Sequence, residues 1–455
     1  MNGNRAIVGH HSELAERAEN VLLYGTFSLL LFGPLAFGAV EAWSIFVLEA
    51  GSALLMLLWL GKQVFEVEMQ VRRNSLFLPM GVFGALIAAQ LVFQTTAYPH
   101  ATEESALLYA AYGALCFLAS QTVLRGSQAR KLAAVFSIYG AAVACFALIQ
   151  GISSNGKLYW LRQPRMGGWI YGPYVNHNHY AGLMEMLVPI PLVLSLTQLA
   201  PIKVRNLAAA GAAIMAGTVF LSGSRGGMFA VVAELVILFL FFVGQKRGLR
   251  HAIALGLFFA IVVALLVWIG GSDLSQRIAT IGPLRPEVST DIRMNINRDG
   301  WRMFLKRPIL GWGLRTFPTV YPGFRSFYTN FFVNEAHNDY LQLLVETGVL
   351  GFATMVWFLV TLFRSAIRKI GKWSVEINGA VALACLLGLT GILVHCAVDF
   401  NLQIPGNAAL FYVLCTVAAS KPFLRPIRKR HIIPSIPVEE IAGNSELIEQ
   451  PATNF

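Results

Sequence analysis

Long apolar stretches alternate with short polar interruptions over most of the chain. Because a helix needs about 20 apolar residues to cross the hydrocarbon core of a bilayer, we interpret these stretches as membrane-spanning helices. Twelve stretches fit: 21–40, 43–60, 76–94, 105–124, 131–150, 179–199, 205–222, 226–244, 251–270, 338–363, 377–398 and 405–420. The pattern therefore predicts an all-α polytopic membrane protein with about 12 transmembrane helices.

The composition supports this interpretation. Hydrophobic residues occupy 56% of the 455 positions and charged residues only 13%, which is too apolar for a soluble fold. The net charge of +11 would suit nucleic acid, but the basic residues cluster between apolar stretches, where they set topology and meet anionic lipid headgroups. We therefore expect membrane lipids, and no nucleic acid, as partners. All five cysteines lie in apolar stretches without ligand spacing, so neither a metal site nor a disulfide framework is indicated.

Basic residues also predict the orientation. If the spans alternate strictly and the N-terminus is cytoplasmic, 22 of the 35 lysines and arginines are cytoplasmic, whereas the short outer loops are poor in basic residues. Both termini are therefore expected to be cytoplasmic. The predicted organisation is a cytoplasmic N-terminus (1–20), nine spans with an outer loop at 151–178 (21–270), a large outer loop (271–337), three spans (338–420) and a loosely ordered cytoplasmic tail (421–455).

The large outer loop is unusually basic. It holds nine of the 13 remaining basic residues and only five acids. One explanation is that loops longer than about 60 residues translocate regardless of their charge. The alternative is a binding site for an anion, because the arginine guanidinium pairs well with phosphate oxygens.

The same loop has a pattern of its own. Asp291–Phe304 predicts an amphipathic helix that ends before Arg307-Pro308, and Gly311–Gly313 predicts a turn. Aromatic residues follow, as is typical of a membrane interface or of a surface that stacks on sugars. They are Phe317, Tyr321, Phe324, Phe327, Tyr328, Phe331 and Phe332.

His337 is the main candidate for chemistry. It stands at the junction between the large loop and the tenth span, where a helix N-terminus disfavours imidazolium and keeps the ring able to accept a proton. An exposed or capping histidine is the alternative. Glu335 and Asp339 would share a helix face that His337 does not, so these three residues do not form a natural metal-binding set.

Three further polar groups interrupt the apolar pattern. Arg225 lies in a glycine- and serine-rich turn on the outer side, suited either to phosphate oxygens or to a tight interhelical connection. Asn176 and His177 suit hydrogen bonding to a sugar or headgroup, or a helix start. The two histidines His177 and His179 could bind zinc only with a third ligand, and none is nearby in sequence. His395 and Asp399, one helical turn apart, are interpreted as structural or as lining a cavity.

Six segments then follow in a definite order. They are Ser222–Gly227, Asp291–Arg293, Arg298–Phe304, Arg307–Gly313, His337-Asn338 and Glu346–Gly351. In order, spacing and predicted side of the membrane they resemble the O-antigen ligase/polymerase superfamily of bacterial envelope enzymes.

The resemblance implies a membrane glycosyltransferase of type C-like fold in the bacterial inner membrane, with no metal and no cofactor. Its donor would be a glycan on polyprenyl diphosphate, usually undecaprenyl diphosphate, used on the periplasmic side. In ligases the acceptor is a sugar of the lipid A-core, so lipopolysaccharide biosynthesis is the process implied. Inversion by a single in-line displacement is expected.

Residue by residue, the resemblance makes His337 the base that activates the acceptor hydroxyl. Arg225 and Arg293 would bind the diphosphate, with Arg298 as the other possible arginine of the loop helix. Asn176 and His177 are additional candidates for substrate binding. The stretch Met294–Asn297 departs from the bulky aromatic residue that is more usual there, which bears on the choice between the two loop arginines.

Related functions remain open at this point. A polymerase that extends a lipid-linked repeat, or a protein O-oligosaccharyltransferase, would use the same donor and the same histidine and arginines. A transporter or flippase of polysaccharide is an alternative from another class. It would be expected to contain inverted repeats, and the two halves of this chain show no convincing repeat.

Overall fold

The computed structural model describes residues 2–65, 71–164, 168–245, 248–269, 290–329 and 331–421. These residues form an almost entirely helical structure, and within them the only β-type pairings are two isolated bridges. The predicted tail at 421–455 and the first part of the large loop lie almost wholly outside the described residues. The described residues form fifteen α-helices, numbered here in chain order.

The helices are α1 (Asn2–Leu35), α2 (Ala42–Phe65), α3 (Phe77–Val92), α4 (Pro99–Thr122), α5 (Gly126–Ile152), α6 (His177–Leu187), α7 (Pro189–Leu196), α8 (Ile202–Leu221), α9 (Arg225–Val243), α10 (Leu249–Ile269), α11 (Thr290–Lys306), α12 (Phe317–Val320), α13 (Asp339–Ile367), α14 (Ile377–His395) and α15 (Pro405–Ala419). Short 3₁₀ turns lie at Tyr321–Gly323, Ile370–Lys372 and Asn401–Gln403.

The helical, polytopic character is confirmed for the described part of the chain. Eight segments there are long and apolar enough to cross a membrane, and α3, α15 and the described apolar part of α10 are apolar but shorter. Helices cover most of each of the twelve predicted stretches. The count of twelve spans, their orientation and the location of the large loop outside the membrane remain predictions.

The sixth predicted span is divided into two helices. The row of helical hydrogen bonds is interrupted at Val188, because Pro189 and Pro191 follow and a proline has no N–H to donate. Of the eight long apolar segments, α6–α7 is the most enclosed, with 94% of its most apolar stretch buried. The next is α14, with 78%. The polar residues on α6 and α14 therefore lie at the centre of the helix bundle rather than at its lipid-facing surface.

The predicted helix of the large loop is present as α11. It packs against the start of α13, and the two helices enclose a small separate core. Two of the predicted surface aromatics, Phe317 and Tyr321, are buried in that core, where their rings stack at 5.1 Å, so their prediction as exposed surface is wrong. Tyr328, by contrast, is 87% exposed. The small core holds α11 rigidly over the start of α13.

A glycine break inside α13 docks the end of the loop. Gly348 has φ 64° and ψ −169°, so the helix opens and its backbone pairs with the chain after α11. Val349 N–H donates to the Pro308 carbonyl at 2.8 Å, and Gly313 N–H donates to the Glu346 carbonyl at 2.9 Å. A Cβ on Gly348 would lie 2.1 Å from the Ile309 carbonyl oxygen. Only glycine fits at position 348, which explains the glycine in the middle of the Glu346–Gly351 segment.

Replacing this glycine is expected to loosen the loop. Gly348→Ala places a side chain in a backbone conformation that costs about 1–3 kcal/mol for non-glycine residues, before the clash with Ile309 is counted. We expect a lower thermal unfolding temperature in detergent. Gly61→Ala on α2 is the matched control, because a Cβ there meets nothing within 4 Å. Equal unfolding temperatures for the two variants would contradict this account.

Candidate active site

Three helices begin at the polar motifs that the sequence singles out. Asn176 caps α6 by accepting the Asn178 N–H at 2.9 Å, and Ser224 caps α9 by accepting the Gly227 N–H at 3.2 Å. Asn338 caps α13 by accepting the Leu341 N–H at 3.1 Å. Each helix start carries a partial positive charge and free N–H groups, which favour anions.

These helix starts meet at one turn, residues 396–400, which follows α14 and is called here the α14 turn. The N–H of Asp339 donates to the Cys396 carbonyl at 2.9 Å, which ties the start of α13 to the turn. A Cβ on Gly226 would lie 3.1 Å from Val398, so the start of α9 packs on it as well. The α6 start reaches it through His179, whose ring meets Phe400 edge-on at 4.8 Å.

His337 faces the α14 turn. Its Nδ1 lies 3.6 Å from Asp399 Oδ1, within ion-pair range but longer than a hydrogen bond, and its ring packs edge-on against Phe400 at 4.9 Å. The side chain is 14% exposed. Its backbone has φ 52°, a left-handed conformation that is uncommon for a residue other than glycine and is often found at functional sites.

The strained backbone of His337 is held on both sides. Before it, the Ala336 N–H donates to Gln342 Oε1 at 2.9 Å; after it, Asn338 caps α13. The Gln342 amide also donates to the Glu335 carboxylate. His337 is therefore fixed by a polar network rather than by its own conformational preference.

Arg293, on α11, reaches the same turn from the loop. Its Nη1 donates to the Val398 carbonyl at 2.9 Å and lies 3.8 Å from Asp399 Oδ2. Its Nε is buried and makes no hydrogen bond within the described part of the chain. Asp399, only 1% exposed, thus stands between the predicted base and a predicted diphosphate ligand.

Asp399 is held as a carboxylate. Burial by itself would raise the pKa of this group, but His337, His179 and His395 lie close enough to outweigh burial, and the pKa is lowered below its ordinary value. The charge in turn favours a proton on His337 Nδ1 and leaves Nε2 free to accept one. Asp399 therefore orients the histidine and balances the charge of the arginine.

The family comparison covers most of this arrangement. Residues 210–356 match the sequence model of the family described as O-Antigen ligase. This segment is 147 of the 455 residues, and its match supports a relation to the O-antigen ligase superfamily. Members of this superfamily are membrane glycosyltransferase-like enzymes. No curated protein matches the chain.

The matched segment holds Arg225, Arg293 and His337 but ends before Asp399. Arg225 is the first residue of α9; its side chain is exposed and has no ion pair or hydrogen bond within the described residues. The packing of Gly226 on Val398 places Arg225 beside the α14 turn. The structure therefore brings His337 and Arg293 together and sets Arg225 at their margin.

The other predicted site residues lie differently. Arg298 points away from the α14 turn, with Nη2 3.4 Å from Ser326 Oγ. His177 is 2% exposed; its Nδ1 lies 2.8 Å from the Ser222 carbonyl oxygen and its ring stacks on Trp169 at 4.5 Å. It joins the starts of α6 and α9. Asn176 caps α6, and its amide lies 3.5 Å from His179 Nε2.

Sequence reasoning missed the central role of Asp399 and the contribution of His179. The signal available was an aspartate one helical turn after an intramembrane histidine, at the end of an apolar stretch. That spacing also fits a structural pair, and nothing in it points to a histidine 62 positions earlier in the chain. Asp399 lies close to His337 and Arg293 only because α11, α13 and α14 pack together.

An apolar cavity of about 680 Å³ opens beside the site. It lies between α3, α4, α13 and α15, and aromatic and aliphatic side chains line nearly all of it. Asp339, Cys396 and Gln403 lie at one end, next to the α14 turn, while Phe77 and Phe117 lie on the helix ends at the opposite side of the bundle. The cavity can therefore take an apolar chain whose end lies next to the α14 turn.

Glu335 gives a pH-dependent prediction. Burial raises its pKa to about 8. A carboxyl whose pKa is raised on folding costs no stability below its ordinary value near 4.5, and the cost grows until the pH passes about 8. Glu335→Gln is therefore expected to raise the unfolding temperature at pH 9 but not at pH 4.5.

The measurement is thermal unfolding in detergent across that range. Glu103→Gln, at an exposed position on α4, serves as the control and is expected to change the unfolding temperature little at either pH. A Glu335→Gln effect that did not vary with pH would contradict the burial of this carboxyl.

Proposed function

We propose that this protein is an O-antigen ligase-like glycosyltransferase. It moves a glycan from polyprenyl diphosphate, with undecaprenyl diphosphate favoured, to an acceptor hydroxyl on the periplasmic face of the inner membrane. A sugar of the lipid A-core is the favoured acceptor. The observation that carries the proposal is the meeting of His337 and Arg293 at the buried carboxylate of Asp399, beside an apolar cavity.

The diphosphate is bound by arginines and helix starts. Arg293 offers an Nε that makes no hydrogen bond to any described residue, and Arg225 offers an exposed guanidinium at the start of α9. Negative charge grows on the diphosphate as its bond to the sugar breaks, so fixed cations and N–H groups stabilise the transition state more than the bound donor. Because these groups supply the positive charge, the reaction is expected to need no metal ion.

His337 acts on the acceptor. Its Nε2 takes the proton of the acceptor hydroxyl as the oxygen attacks the anomeric carbon, and the electrons of the breaking C–O bond leave with the diphosphate. One in-line displacement inverts the anomeric centre. General-base catalysis of this kind contributes about 10²–10⁴-fold. Asp399 stabilises the imidazolium that forms.

Variants of His337, which precedes α13, and of Arg293 and Arg298, both on α11, test this assignment. With purified protein, lipid-linked glycan and lipid A-core, His337→Ala is expected to lower the transfer rate by about 10²–10⁴-fold, in line with loss of a general base. Arg293→Ala should lower it strongly as well. Arg298→Ala, on the same helix but directed to Ser326, should keep most of the activity. Full activity of His337→Ala, or inhibition by EDTA, would overturn the mechanism.

The same superfamily machinery would serve a polymerase or a protein O-oligosaccharyltransferase. Deletion of the gene distinguishes them by the envelope glycans on a gel. A ligase leaves free lipid-linked polymer and bare core, whereas loss of a polymerase leaves decoration by single repeats. Unchanged envelope glycans would argue against a ligase and a polymerase, and loss of glycan from proteins would indicate an O-oligosaccharyltransferase.

The cavity gives a separate prediction about the lipid. Gly84 on α3 lines it, and a Cβ there meets nothing within 4 Å, so Gly84→Phe should fill the space without disturbing the helix packing. We expect about a tenfold or greater rise in KM for a donor with a long prenyl chain, in line with the few kcal/mol gained on burying an apolar side chain. A short-chain donor should be affected much less.

The matched control is Gly61→Phe, since Gly61 also has open space around it but does not line the cavity. An equal rise in KM for long and short prenyl chains would show that the cavity does not hold the lipid.

A further inference from the structure

A buried acid and base lie next to the α14 turn of the candidate active site. His395 Nδ1 is 2.8 Å from Glu185 Oε1, and the two side chains are 1% and 0% exposed. Removing an acid and a base from water is costly, and hydrophobic side chains of similar volume are often at least as stable. Ionisable groups inside a membrane bundle are rare and usually serve a function. The proposed transfer reaction does not itself use this pair.

His395 supports the α14 turn through its backbone. Its carbonyl accepts the N–H of Val398 at 3.0 Å and the N–H of Asp399 at 3.1 Å. Val398 is the residue whose carbonyl binds Arg293, and Asp399 is the carboxylate beside His337. A rotation of α14 at His395 would therefore displace the partners of both proposed site residues.

The ring of His395 fixes α14 against two other helices. Glu185 holds one edge from α6, the helix whose start carries His179. The opposite edge faces α9, where a Cβ on Gly226 would lie 2.4 Å from Cδ2 and 2.5 Å from Nε2. The same glycine follows Arg225. The pair thus joins the helices that supply His179, Arg225 and Asp399.

Other charged groups surround the pair. Asp399 and Asp339 interact electrostatically with His395, so its neighbours are mainly acidic. Glu234, on α9, is 3% exposed; it contacts α14 at Gly391 and interacts with Glu185. Its Oε1 makes no hydrogen bond within the described residues. Glu185 on α6 and Glu234 on α9 are therefore both buried carboxyl groups that pack against α14. Only Glu185 is hydrogen-bonded to His395 within the described residues.

We propose that Glu185 and His395 form a positioning pair that holds the α14 turn in register with the starts of α6 and α9. The inference rests on the proposed transferase function. Without the pair, Val398 and Asp399 can shift relative to His337 and Arg293. A displacement of about 1 Å at a catalytic group can cost about 10²-fold in rate. The loss should appear in kcat, because the donor still reaches the arginines and the cavity.

Kinetics of Glu185→Ala test this proposal. We expect kcat to fall by about 10–100-fold, as for a misplaced catalytic group, with the KM for the lipid-linked donor little changed. The acid limb of the kcat–pH profile, set by the proposed base His337, should also shift, because Asp399 no longer holds its place beside that ring. Glu185→Gln, whose amide oxygen can still accept the Nδ1–H of His395, should lie between Glu185→Ala and the unaltered protein in both respects. It also provides the measurement if Glu185→Ala does not fold.

The matched control is Glu234→Gln, which removes a neighbouring buried carboxylate that makes no hydrogen bond to His395 within the described residues. It should leave kcat and the pH profile nearly unchanged. A Glu185→Ala variant with unaltered kcat and an unaltered acid limb would overturn the proposal, as would a Glu234→Gln variant with the same loss and shift. If His337→Ala retained full transfer, the proposed function itself would fall, so the two failures are distinguishable.

Discussion

A buried, ionised carboxylate has to be compensated by nearby positive or proton-donating groups, and in this protein that requirement is met at Asp399. Secondary structure and hydrophobic packing alone would not fix the positions of the Arg293 and His337 side chains, because each can adopt several rotamers. The electrostatic requirement does specify it. Once α14 places Asp399 out of reach of bulk water, the arginine from α11 and the histidine before α13 stabilise the fold by approaching it.

The strained histidine and the broken helix α13 belong to the same network. Gln342 and Glu346, one turn apart on α13, hold the chain on both sides of the candidate site: Gln342 accepts from Ala336, and Glu346 accepts the N–H of Arg315 at 2.8 Å and of Phe317 at 3.2 Å. The opening at Gly348 lets the chain after α11 pair with α13. The first two turns of α13 therefore bind the loop on one side and define the backbone of His337 on the other.

Local patterns in the sequence predict local structure well here. Apolar length predicted where helices lie, including spans that begin near residues 226 and 338, and Arg307-Pro308 predicted the end of α11. Likewise, the choice of Arg293 over Arg298 agrees with where the two side chains lie, although their roles remain proposals. What sequence alone could not supply was any contact between segments far apart in the chain. Asp399 had no local feature to distinguish it from a structural aspartate, and Phe317 and Tyr321 had none to distinguish a small buried core from an aromatic surface.

The position of the family segment has a consequence for biogenesis. The segment that matches the O-antigen ligase family ends at residue 356, whereas Asp399 and the cavity wall formed by α15 come later in the chain. During synthesis, a nascent chain that has emerged only through α13 already contains Arg293 and His337 but lacks Asp399, the carboxylate that both side chains approach. Assembly of the candidate site therefore requires α14 and α15, the two described helices that follow the family segment.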